Sequence, residues 1–119
     1  MARTELFVGS TNRLYLAGAY TLDAAGTQTA FTSSSGALTA QVLNLDGTSV
    51  TDATAMTYTA GSAVVNGTTY ASGNWSLLLA SDTDIAAGTQ YVVEYVGTLS
   101  GNTIPDLTLR VQVVAQYAD

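Results

Sequence analysis

Cysteine, histidine and lysine are all missing from this chain of 119 residues. Without cysteine there is neither a disulfide framework nor a thiolate metal site. Without histidine the commonest general base, the commonest transition-metal ligand and the physiological pH switch are gone together. Positive charge is nearly absent as well: Arg3, Arg13 and Arg110 stand against 9 acidic residues, for a net charge of −6. No basic stripe can be assembled from three arginines, so nucleic acid is not an expected partner. The acidity suits solubility or a basic partner instead. Long apolar runs are missing too, although 47% of the residues are hydrophobic. None approaches the roughly 18 residues of a membrane span, and no membrane association is expected. The opening "MARTELFVGSTNRLYLAG" has no continuous apolar stretch, being interrupted by Glu5 and "GSTNR". It therefore reads as a chain starting at its own Met without an export signal.

These absences bear directly on catalysis. A nucleophilic serine would have only carboxylates, tyrosines or the N-terminus as a base. Gly73-Asn74-Trp75-Ser76 is not the strained G-x-S-x-G elbow. Glu94 with a second carboxylate could form a glycosidase pair. It sits, however, between Val93 and Tyr95 in an alternating segment and reads as solvent-facing. The expectation is a protein that is not an enzyme, with no catalytic, cofactor-binding or metal-binding residues and no cofactor.

What the chain does have is alternation. Leu38, Ala40 and Val42 fall on one face of "ALTAQVLNL", and Trp75, Leu77 and Leu79 on one face of "NWSLLLA". Tyr91, Val93 and Tyr95 oppose Val92, Glu94 and Val96, while Leu107, Leu109, Val111 and Val113 oppose Thr108, Arg110, Gln112 and Val114. Period-2 patterning is the mark of strands with one buried face. Strands are expected near 4–8, 13–20, 37–45, 48–51, 55–59, 62–65, 74–80, 90–98 and 106–115. Asp46-Gly47 and Asn66-Gly67 read as type I′ hairpin tips. "TSSSG" at 32–36 reads as a flexible loop, and Pro105 precedes a strand where its missing N–H matters least. Short strands at this spacing imply two sheets packed face to face, mainly antiparallel. The expected core is Leu38, Val42, Trp75, Leu77, Leu79, Tyr91, Val93, Leu109 and Val111. The echo of "AAGTQT" (24–29) in "AAGTQY" (86–91) reads as one turn chemistry used twice.

The acidic cluster Asp82-Thr83-Asp84 lies between two of these strands. Short carboxylates bond nearby backbone N–H groups and initiate turns. Calcium is the alternative, but it takes six or more oxygens, and no third carboxylate lies nearby in sequence. The turn is the preferred reading. Ile85 is expected beneath the corner, with Gly88 supplying its free φ. Asn66-Gly-Thr and Asn74-Trp-Ser match the glycosylation acceptor pattern and are read as coincidence. Tyr15, Tyr20, Tyr58, Tyr70 and Tyr117 exceed what one small core needs; they either reflect strand preference or offer an aromatic surface for a sugar or a protein.

Residues 1–12 form an N-terminal arm or edge strand, and residues 13–119 the main domain. A short first strand followed by the loose Gly9–Asn12 link suits pairing with its own sheet or with a neighbour's. Arg3, Glu5, Phe7, Arg13 and Tyr15 are therefore the interface candidates, and deletion of residues 2–11 is expected to spare the fold.

"SGNWSLLLASDTDIAAGTQYVVEY" (72–95) resembles the E–F corner of immunoglobulin-like sandwiches, with Tyr91 at the position of the corner tyrosine. "VLNLDGTSVTD" (42–52) resembles the "DG-T-x-V" hairpin of phage and bacterial immunoglobulin-like modules, and "LTLRVQVVAQY" (107–117) completes the likeness. The chain thus resembles the immunoglobulin-like β-sandwich domains of phage virion structural proteins. That resemblance implies an all-β, two-sheet immunoglobulin-like fold. It implies a capsid decoration (cement) protein that binds the outer shell and bridges capsid subunits, with a tail, baseplate or neck accessory protein or a glycan-binding adhesin module as alternatives. The partners implied are capsid or other virion proteins and further copies of the chain, a trimer being one form, with a glycan possible. The location implied is the virion, assembled in the host cytoplasm.

Overall fold

A computed structural model describes residues 2–22, 25–99 and 107–117. Among these residues there are strands and turns but no helix. The strands are β1 (Glu5–Phe7), β2 (Asn12–Leu16), β3 (Tyr20–Leu22), β4 (Gln28–Ala30), β5 (Gly36–Asn44), β6 (Thr54–Ala55), β7 (Thr57–Thr59), β8 (Ala63–Val65), β9 (Thr68–Tyr70), β10 (Asn74–Leu79), β11 (Gln90–Leu99) and β12 (Leu107–Gln116). The larger sheet runs β1-β12-β11-β5-β6, and a three-stranded sheet runs β2-β10-β7. Hairpins β3-β4 and β8-β9 stand apart from both. Every pairing is antiparallel except that of β1 with β12.

The long ladders follow from the alternation. Val93 lies between Val42 and Val111, Tyr95 between Ala40 and Leu109, and Tyr91 between Asn44 and Val113. These positions turn one β-branched and aromatic face inward. The three-stranded sheet answers with Leu14 paired to Leu77 and Leu16 paired to Trp75. Inward residues of both sheets join one core around Leu6, Leu14, Val42, Val93, Tyr95 and Val113, as in a β-sandwich. Trp75 packs between Phe31 and Tyr58, with ring centroids 5.5 and 5.3 Å away, and its indole N–H donates to the Phe31 carbonyl at 2.9 Å. A buried indole thus keeps its hydrogen bond, which would otherwise be lost on leaving water.

The β10–β11 corner forms as the sequence implied. Ile85 is buried, Gly88 has φ +81°, and the Tyr91 hydroxyl accepts from the Ala86 backbone N–H at 2.8 Å. Gly26 has nearly the same φ, +83°, so the part of the "AAGTQ" echo within the described residues does share a glycine turn.

Other expectations are corrected. Leu109 has inward parity but is 46% exposed, lining an open pocket with Leu16, Leu38 and Tyr95; Leu77 and Val111 are half-buried rather than central. The stretch 55–59 is not one strand. Met56 is buried and donates its N–H to Leu38 O, and there the chain leaves the large sheet (β6) for the small one (β7). The stretch 48–51 is not a full strand: beside β5 it makes an isolated bridge from Ser49 to Leu43, with Val50 N–H donating to Val42 O at 2.9 Å. Asn66 (φ +49°) and Gly67 (φ +80°) make the expected type I′ tip, but Asp46 does not share the positive φ of Gly47. At that tip the Asp46 carboxylate instead accepts from the Thr48 hydroxyl at 2.6 Å and the Thr48 N–H at 2.9 Å. These bonds, the hydroxyl's first, hold its pKa below the ordinary 3.8. "TSSSG" is a bonded turn rather than a loose loop: Ser35 N–H donates to Thr32 O at 2.9 Å and Thr32 N–H to Ser35 Oγ at 3.2 Å. Pro105 lies outside the described residues.

The N-terminal stretch is an edge strand, and a structural one. Ala2 bridges to Leu16 of the small sheet, after which β1 joins β12 of the large sheet in parallel. Leu6 is fully buried in the core. The link that reads as loose is closed by a buried side chain. Asn12 Oδ1 accepts from Phe7 N–H at 2.8 Å, while Asn12 Nδ2 donates to Phe7 O at 3.0 Å and Ser10 O at 3.1 Å. The expectation that residues 2–11 are dispensable for folding is withdrawn on this ground: their removal would empty the Leu6 site and orphan the Asn12 amide.

Candidate interaction surface

The crossing of the first strand from one sheet to the other decides where the five interface candidates stand. Arg3 lies at the crossing. Its Nη1 donates to the Arg13 carbonyl at 3.2 Å, its Nε donates to the Glu5 carbonyl, and its guanidinium carbon lies 5.4 Å from the Phe7 ring centroid. That separation is within cation–π range. The Glu5 carboxylate accepts from the Gln116 side-chain amide. Arg3, Glu5 and Phe7 are therefore brought together at the edge of the large sheet.

Arg13 and Tyr15 belong to a different surface. They lie on the face of β2 opposite Leu14, where Arg13 pairs with Leu78 and Tyr15 with Ser76. With Val64 and Val65 of the β8-β9 hairpin they line a groove of about 400 Å³. Leu78 (60% exposed) and Val64 (69% exposed) add apolar area to this side of the molecule. Leu78 was readable in outline, since it alternates with Trp75, Leu77 and Leu79. Val64 was not, because only the folded hairpin carries it there.

Charge gives this side its character. Arg110 pairs with Glu94 across β11 and β12 at 2.7 Å, so Glu94 faces outward but is largely covered. Arg3 and Arg13 have no ion-pair partner among the described residues. Two of three cations thus sit beside apolar surface in a chain of net charge −6. The Arg13 surface, with Leu78 and Val64 beside it, suits contact with a protein surface of mixed acidic and apolar character, because Arg is favoured at interfaces whereas scattered acids elsewhere limit nonspecific contact.

The acidic turn has a different basis from the one expected. Among the described residues neither the Asp82 nor the Asp84 carboxylate makes a hydrogen bond. Thr83 closes the turn, donating both its N–H (3.1 Å) and its hydroxyl (2.6 Å) to Ala80 O. No group of three or more metal-binding side chains forms among the described residues. Asn74, in the second acceptor-like motif, is buried and unavailable to a glycan. No family model, curated protein or solved structure matches this chain.

Proposed function

We propose that this chain is an immunoglobulin-like structural protein of a phage virion, a capsid decoration protein that binds the outer shell and bridges neighbouring capsid subunits. It acts through contact area rather than chemistry. The observation that carries the reading is the strand order. In immunoglobulin-like domains strands B, E and D lie in one sheet and G, F and C in the other. Here β2-β10-β7 corresponds to the first set and β12-β11-β5 to the second, with β1 beside β12 and β6 beside β5. The bond from Ala86 N–H to the Tyr91 hydroxyl occupies the E–F corner of that scheme. Trp75 departs from it, lying on the E-like strand rather than the C-like one.

The virion role rests on the resemblance of residues 42–52, 72–95 and 107–117 to phage modules, and the Arg13 surface offers a contact face for it. A single copy would hold a shell weakly. A small oligomer, a trimer in the simplest case, engages several subunits and gains about 10²–10⁴ in avidity. The test is co-sedimentation of the purified chain with shells of the phage that encodes it, with Arg13→Glu as the control variant. Pelleting of the parent, reduced in the variant, supports the reading. A parent that stays in the supernatant with shells but joins isolated tails moves the role to a tail accessory protein. A parent that joins neither overturns it.

A further inference from the structure

We infer that the cleft between the β3-β4 and β8-β9 hairpins is a binding site for a neutral saccharide, with Tyr20 and Tyr70 as its two aromatic walls. The cleft is open to solvent, with a volume of about 320 Å³, and Gly18 and Ala19 also line it. This volume falls at the small end of the roughly 300–1,000 Å³ typical of small-molecule sites.

Register builds the first wall. Tyr20 pairs with Ala30, and Leu22 with Gln28, across β3-β4. Residues directly opposite and two apart share a face of a hairpin, so Tyr20, Gln28 and Ala30 present one surface. All three line the cleft. The second wall is the end of β9 and the short link to β10, where Thr69, Tyr70 and Ser72 line the cleft.

The two walls are set against each other by backbone that cannot shift freely. Gly18 has φ +67°, and a Cβ there would fall 2.6 Å from Tyr70 Cδ1, so the Tyr70 ring lies directly on the glycine. Gly73 has φ +75°, and a Cβ there would fall 2.2 Å from Ala19 O. Ala19 N–H donates to Gly73 O at 2.9 Å, and Ala19 O accepts from Phe31 N–H at 2.9 Å. Buried Asn74 completes the frame, accepting from Gly18 N–H at 3.1 Å and donating to Tyr70 O at 3.0 Å and Gly61 O at 3.1 Å. A site held in this way loses little entropy when a ligand enters.

The ligand class comes from the lining of the cleft. Every side chain there is uncharged, which disfavours an ionic ligand. The polar groups are also uncommitted. Among the described residues, the hydroxyls of Tyr20, Thr69, Tyr70 and Ser72 and the Gln28 amide bond no other protein group. The other glutamine side chains of the described residues are engaged: Gln112 donates to Gln90 at 2.7 Å, Gln41 to Ser49 at 2.9 Å, and Gln116 to the Glu5 carboxylate. Two aromatic walls with free hydroxyl and amide groups match a sugar ring, which offers apolar C–H faces to the rings and hydroxyls around its rim. Tyr20, 53% exposed, is reachable from solvent.

The inference is independent of the proposed virion role, since the cleft shares no residue with the Arg3 and Arg13 surfaces. The test is an NMR titration of the uniformly ¹⁵N-labelled chain with methyl glucoside, methyl galactoside, N-acetylglucosamine and N-acetylgalactosamine, each to tens of millimolar. Saturable shifts at the amides of Gly18, Ala19, Thr69 and Ala71 with at least one sugar are expected. Tyr20→Ala and Gln28→Ala, both on an exposed hairpin, should each weaken that binding about tenfold, as loss of one aromatic or hydrogen-bonding contact does. The two variants should also keep the parent's remaining amide spectrum. Absence of localised shifts with all four sugars overturns the inference, as do shifts unchanged in both variants. Shell binding in the co-sedimentation assay should be unaffected by either variant.

Discussion

The two sheets are held together by different means. In the large sheet, β5, β11 and β12 run nine to ten residues each and pair continuously, so the ladder itself supplies register and rigidity. In the small sheet no strand exceeds six residues, and β7 has three. There the order comes from single side chains: Asn74 and Trp75 tie backbone segments distant in sequence, and Asn12 closes the link from β1 into β2. Long strands need no such device, because each added residue brings its own ladder bond and cross-strand contact. Short strands surrounded by loops leave backbone groups that only a buried polar side chain can satisfy. The first strand joins the two systems, touching β2 through Ala2 and β12 through β1.

The sharpest way to break this comparison is to remove that joint. Deletion of residues 2–11 is expected to abolish folding, read as loss of the β-sheet circular dichroism band and of a cooperative melt. Leu6→Ala, which empties a fully buried position, should destabilise by about 2–5 kcal/mol in urea titration. A stable, cooperative deletion variant would mean that the sheets hold without it.

Asn74→Ala separates the two building modes more finely. It leaves the Gly18 N–H and the Tyr70 and Gly61 carbonyls without their partner, and a loss of about 2–4 kcal/mol is expected. Replacing Gln112 of the large sheet with Ala should change stability by less than about 0.5 kcal/mol, since its bond to Gln90 is exposed. Equal losses at the two sites would erase the distinction.

Tyr95 reports on the seam between the sheets. Its ring is buried among the inward residues, and its hydroxyl donates to Tyr15 O at 3.4 Å. Burial first, and then the nearby Tyr15, push its pKa up to about 12, against a smaller opposing pull from Arg3. The folded protein therefore keeps this proton to higher pH than the unfolded chain does. The contribution is complete below pH 10 and is lost as pH rises from 10 through about 12, amounting to about 2–3 kcal/mol. Urea titrations across that window should show the loss, and Tyr95→Phe should flatten it. A parent with no alkaline loss would contradict the burial.

The smallest of the expected losses is at the corner, with only the near-neutral Gln112 control below it. Tyr91→Phe removes one bond to Ala86 N–H and should cost about 1 kcal/mol, with the melt still cooperative.

This division also explains what could be read from the sequence. β5, β10, β11 and β12 show period-2 patterning because each has one buried face, and they were found to within a residue or two. β3, β4 and β9 were missed: "YTL", "QTA" and "TTY" are too short and too rich in threonine to alternate visibly. The split at Met56 was hidden because a residue that leads the chain between sheets keeps strand-like chemistry on both sides. Asn12 was read as part of a loose link and Asn74 as the first residue of a strand, and neither was expected to be buried, since hydrophobic patterning cannot register a buried amide whose partners are backbone atoms. The interface candidates were chosen by their place near the N-terminus, and the fold divides them between two surfaces. Tyr20 and Tyr70 lie fifty positions apart, so only the close approaches at Gly18 and Gly73 bring their hairpins together.

Native-state hydrogen exchange tests most directly the claim that the first strand makes the two sheets one cooperative unit. The amides to follow are Phe7 and Val8, bonded to Asn12 Oδ1 and Gln116 O, Gly18 and Ala19 in the small-sheet frame, and Val93 in the large sheet. All five are expected to exchange through one opening, with free energies that converge on the global unfolding value as urea is raised. Unprotected exchange at Phe7 and Val8 while Val93 stays fully protected would contradict it.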